Sequence, residues 1–96
     1  SLKMTAKKVA GKFDEGKIQV KITNNSDIPY QVYLRSPYPI DNTPLNLVTL
    51  QPNGITTVLM EPVWEYPKEF KLGFKVVNLL VGVDKSLETE ITIPLQ

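Results

Sequence analysis

The sequence contains neither cysteine nor histidine. The first absence excludes disulfides and thiolate metal sites, and the two together exclude nucleophilic catalysis through a Cys–His or Ser–His pair. A Ser–Lys dyad is compatible with the composition, but Ser26 and Ser86 stand in polar stretches where turn formation accounts for them. No apolar run approaches the roughly 18 residues needed to span a membrane. The longest, 76–83, is interrupted by Asn78 and Gly82. There is no glycine-rich phosphate loop. The net charge of +1 exerts no general pull toward nucleic acid or an anionic membrane. A single-strand nucleic-acid surface needs cations interleaved with aromatics, and the lysine-rich first strand has none.

What the sequence does have is alternation. Eight prolines and five glycines divide 96 residues into short segments, which disfavours long helices. Leu2, Met4 and Ala6 alternate with Lys3 and Thr5 as a first strand. After an Asp14-Glu15-Gly16 turn, Ile18, Val20 and Ile22 alternate with Gln19, Lys21 and Thr23, and a polar turn follows at 24–27. Tyr30, Val32 and Leu34 alternate with Gln31, Tyr33 and Arg35. A loop with three prolines spans 36–44, and a fourth strand is expected over 45–50. The Gln51-Pro52-Asn53-Gly54 turn leads to a β-branched fifth strand over 55–60. A second proline-bounded loop spans 62–67. Phe70, Leu72, Phe74 and Val76 mark a sixth strand, 78–85 is a connector, and Leu87, Ile91 and Ile93 mark a last strand that ends at Pro94.

Seven strands with one apolar face each predict a single all-β domain over 1–96. The expected architecture is an immunoglobulin-like, two-sheet antiparallel sandwich, with a small barrel as runner-up. A domain of this length buries one modest core, worth roughly 5–10 kcal/mol of net stability. With serine rather than methionine at position 1, the chain is expected to be a mature product or a module cut from a larger protein.

The stretch 18–27, Ile-Gln-Val-Lys-Ile-Thr-Asn-Asn-Ser-Asp, and the stretch 48–58, Val-Thr-Leu-Gln-Pro-Asn-Gly-Ile-Thr-Thr-Val, carry a family likeness. With the tail Phe-Lys-Val-Val-Asn-Leu-Leu-Val at 74–81, they resemble bacterial accessory Ig-like or fibronectin-type domains, over roughly residues 17–93. Such domains are appended to secreted hydrolases, phosphoesterases and surface proteins. The resemblance implies a non-catalytic accessory or interaction role, a secreted, periplasmic or cell-envelope location, and no catalytic residue.

Charge is unevenly placed. Six lysines up to Lys21 face only Asp14 and Glu15, a local +4, whereas the chain from Glu61 onward carries a local −2. Solvated outer faces account for this, and a basic docking stripe is the sharper alternative. The carboxylate pairs Asp14/Glu15, Glu61/Glu65 and Glu88/Glu90 are formal candidates for glycosidase chemistry, but solubility and edge protection explain them. Asn24, Asn25 and Asp27, and the pair Asp41 and Asn42, have too little charge for a good calcium site and suit Asx turns. No metal and no cofactor is expected.

The remaining feature is aromatic. Tyr38 lies between Pro37 and Pro39, and Trp64 and Tyr66 lie between Pro62 and Pro67. Rigid loops that present Tyr and Trp either stack on sugars and anchor partners or close one end of a core. Tyr33, alternating outward, joins the same candidate surface, with Glu65 or Asp41 to hydrogen-bond hydroxyls. The expected partner is a neighbouring domain or protein. A polysaccharide, and a copy paired through an edge strand, are the alternatives.

Overall fold

The structure, a computed structural model, describes residues 2–9, 16–61, 66–80, 82–83 and 89–96. The strands are β1 (Leu2–Lys8), β2 (Ile18–Asn24), β3 (Tyr30–Arg35), β4 (Leu47–Leu50), β5 (Ile55–Met60), β6 (Glu69–Asn78), β7 (Gly82–Val83) and β8 (Thr89–Pro94). They form two sheets, one ordered β1-β2-β5. The other is ordered β4-β3-β6, with β7 and β8 both paired to β6. All strand pairs are antiparallel. The fold is an Ig-like sandwich in which the fourth strand pairs with β3 rather than with β5, as the register Val32–Val48 shows.

Alternation becomes a core because each strand turns every second residue inward. Ile18, Val20 and Ile22 of β2 are fully buried between the sheets, and Val32, Leu50, Met60, Leu72 and Val76 meet them from β3 to β6. β1 is a weaker contributor. Only Ala6 is buried, and Leu2 and Met4 pack at the margin.

Four differences from the expected strands have physical reasons. The fourth strand starts at Leu47, because Pro44–Asn46 is a 3-10 turn in which Leu45 and Asn46 have left-handed backbone. The sixth strand extends to Asn78, since Val77 and Asn78 continue the ladder with Gln31 and Tyr30. The connector contains a strand of its own, β7, returning on Val77 and Asn78. Pro94 ends pairing with β6 but not the chain's use of hydrogen bonds. Leu95 bridges to Ala6, and the Gln96 amide donates to the Ala6 carbonyl at 3.1 Å, so the C-terminus crosses to the first sheet. The expected turn at Asp14-Glu15 and the start of the last strand at Leu87 lie outside the described residues.

One end of the sandwich is tied by a polar side chain. Asn24 closes β2 with no solvent exposure. Its amide nitrogen donates to the carbonyls of Ile28 (2.8 Å) and Gln51 (3.1 Å). Its amide oxygen accepts from the Ser26 amide (3.2 Å) and hydroxyl (2.7 Å). Every donor and acceptor of the amide group is therefore used. The turn at 51–54 is laced to the 25–29 turn a second time: the Asn53 backbone amide donates to the Ser26 carbonyl, and its side chain donates to Asp27.

Asn24→Ala leaves the carbonyls of Ile28 and Gln51 without this donor. It is expected to lower unfolding stability by about 2–4 kcal/mol, measured by urea titration. Asn24→Asp keeps the shape but loses both donors and adds a buried charge at neutral pH, so it is expected to lose no less.

Candidate interaction surface

The strand directions bring residues 36–46, Glu61 and residues 66–68 to one end of the sandwich, opposite the Asn24 end. The 36–46 loop is built locally. The Ser36 hydroxyl accepts from the Tyr38 amide (3.1 Å) and lies 3.2 Å from the Met60 sulfur. Residues 39–41 then run along the edge of β5: the Asp41 amide donates to the Leu59 carbonyl (2.8 Å), and the Glu61 amide donates to the Pro39 carbonyl (3.0 Å). This covers part of an edge that would otherwise offer open hydrogen bonds. The Asp41 carboxylate pairs with the Lys17 ammonium at 2.7 Å, fastening the loop to the start of β2.

These contacts place the residues singled out in the sequence. Tyr38 is half-buried against the core, with its ring edge-on to Phe70 (centroids 5.9 Å apart, planes at 70°). Tyr66 is also half-buried on the core; its hydroxyl accepts from the Gly16 amide at 3.1 Å, and the Lys8 ammonium sits 5.1 Å from its ring centroid. Both rings thus have intramolecular partners at the same end of the molecule. Tyr33 stands apart from them, on the outer face of β3, 42% exposed, opposite Leu47 on one side and Lys75 on the other. Trp64 and Glu65 lie outside the described residues.

The structure adds a residue that falls within the strand expected over 45–50. Leu45 is 90% exposed, with φ 55° and ψ 20°. An apolar side chain standing in water on left-handed backbone gains nothing from burial and carries roughly 1–2 kcal/mol of local strain. Its sequence signal is Pro44, which opens the turn; Val48 and Leu50 are buried, so within the strand Leu47 points outward. Leu47 lies opposite Tyr33 on the outer face of β3 and β4, and the turn that carries the exposed Leu45 leads directly into it.

The chemistry available there is contact rather than catalysis: an aromatic ring, two leucines and the cation of Lys75. Among the described residues no group of three or more Asp and Glu side chains is placed to hold a metal ion.

Comparison with curated proteins finds no match. Among solved structures, the chain is similar to WR4, a C. elegans MSP family member. The TM-score is 0.51 and the sequence identity 19%, with 83% of this chain and 82% of that chain covered. At that identity the likeness concerns the fold. A family described as an Ig-like domain matches residues 2–92, nearly the whole sandwich. The chain belongs to this family of Ig-like domains.

Proposed function

We propose that the chain is a non-catalytic accessory domain of a larger secreted or envelope protein, and that it packs on and positions a neighbouring domain through the outer face of β3 and β4. The observation that carries this reading is Leu45. Its side chain is 90% exposed, and the 3-10 turn that holds it leads directly into Leu47, the residue opposite Tyr33. A desolvated contact with another domain gives an exposed leucine the burial that its own domain does not, about 1.5–3 kcal/mol if complete. The Ig-like family and the sandwich architecture support an interaction role. The absence of histidine and cysteine narrows the catalytic alternatives. The reading is favoured over sugar stacking because Tyr38 and Tyr66 spend much of their ring surface on their own core.

Hydroxyl-radical footprinting of the parent protein against the isolated domain tests the proposal. Tyr33 and Leu45 are expected to be labelled in the isolated domain and protected in the parent; equal labelling in both would sink it.

A second measurement separates folding from docking. Leu45→Gly removes an exposed side chain and suits the positive φ, so the isolated domain is expected to keep its stability or gain up to about 1 kcal/mol. The same substitution in the parent is expected to restore labelling of Tyr33. A loss of stability in the isolated domain would show that Leu45 serves the fold instead.

A further inference from the structure

The lysine-rich N-terminal stretch resolves into separate fates. Lys17 pairs with Asp41 and Lys8 lies by the Tyr66 ring. Lys3, Lys7 and Lys21 gather on the outer face of the first sheet. The register sets Lys3 opposite Thr23, Thr5 opposite Lys21 and Lys7 opposite Gln19. All three lysines are exposed. No acidic residue occurs anywhere in β1, β2 or β5. Glu61 comes only after the last register pair, Ile18–Met60. Among the described residues of these three strands no carboxylate balances the cations, and Lys21 stands level with the midpoint between Lys3 and Lys7. Measured along the strands, a positive charge recurs every two residues, about 6.6–6.8 Å.

Between Lys7 and Lys21 lies a shallow depression of about 190 Å³, lined also by Thr5, Ala6, Gln19 and Gln96. Gln96 is held there because its backbone pairs with Ala6 and Lys8. Two ammonium groups, two amides and a hydroxyl form a donor-rich lining suited to one anionic group. Edge protection is the usual work of lysine on a sheet. It accounts for Lys3 and Lys7 on β1 but not for Lys21, which sits on the central strand between β1 and β5.

We infer that this face is a docking surface for an extended acidic protein segment in which carboxylates alternate with small polar residues. An extended chain presents every second side chain on one side at the same spacing of about 6.6–6.8 Å, so successive glutamates meet Lys3, Lys21 and Lys7 in turn, with one carboxylate seated in the depression. The lysine spacing favours such a segment, and the outward positions of these strands carry no aromatic ring on which sugars or bases would stack. This surface lies on the sheet opposite to the Leu45 face and does not depend on the docking proposed there.

The test is fluorescence anisotropy with a labelled eight-residue peptide of alternating Thr and Glu, beside a peptide of the same composition with its four glutamates contiguous. At low salt the alternating peptide is expected to bind severalfold tighter than the contiguous one, and binding is expected to fade as salt approaches 0.5 M. Lys21→Gln is expected to weaken binding about threefold, and the triple variant K3Q/K7Q/K21Q more than tenfold. The K71Q variant of the opposite sheet is expected to bind as the unsubstituted chain does. Matching thermal melts establish that the variants fold. Equal affinity for the two peptides, binding that survives in the triple variant, binding only of a sulfated oligosaccharide, or no binding at millimolar peptide would each overturn the inference.

Discussion

The side-chain amide of Asn24 is the constraint on which the arrangement of the two sheets depends. The chain crosses from the first sheet to the second through residues 25–29 and returns through 51–54. Both crossings lie at one end, and Asn24 donates to a carbonyl in each. A crossing carries backbone groups that no ladder satisfies, and burying them unpaired costs about as much as several core methyl groups contribute. One fully used amide removes two such deficits and fixes the distance between the turns. Asn53 reinforces the tie from the other side, on left-handed backbone that asparagine tolerates. With both turns held, β4 is committed to β3 and β5 to β2, which gives this sandwich its strand order.

Much of that fold is readable from side-chain parity. The inward sets of β2, β3 and β5 follow directly from alternation, since one buried face leaves a strand little freedom of register. Asn24 also falls on the inward parity of β2, after Ile18, Val20 and Ile22. A polar residue there reads equally well as the first residue of a turn. Only the distant Gln51 carbonyl makes it a core residue, and a partner 27 positions away has no local signature. The 3-10 turn at Pro44–Asn46 is hidden for a related reason: three residues with good strand neighbours outweigh a proline whose effect is a local change of backbone hand. β7 is a two-residue strand whose existence rests on its partner rather than on its own composition.

The aromatic loops show where sequence reasoning about a site runs out. A tyrosine framed by prolines is rigid, and rigidity serves closure of a core as well as presentation to a ligand. Composition is the same in both cases; the direction of the ring decides. For Tyr38 that direction is toward Phe70, and for Tyr66 it is toward the core beneath Gly16 and Lys8. Tyr33 differs because a strand position has a fixed side. Its outward parity follows from the alternation of β3 alone, and the same parity turns the half-buried Leu47 outward opposite it.

Parity also explains why interaction is expected on the faces of this domain rather than at its ends. Among the described residues each end is held by its own chain: one by the Asn24 tie, the other by the Lys17–Asp41 pair and the two tyrosine rings. The outer faces carry side chains that the core does not constrain, so their composition is set by solvent and by partners. Solvent alone favours charges of both signs, interspersed. The second sheet shows that mixture along β6, with Glu69 beside Lys71 and Lys75. The first sheet does not, because three lysines share its outer face without one acid in its strands. Lys3 and Lys7 can be assigned to guarding an edge, but a central-strand lysine guards nothing. Placing Lys21 between them adds like-charge repulsion that a threonine or glutamine at that position would avoid. Folding gains nothing from that repulsion, whereas a carboxylate-bearing partner relieves it.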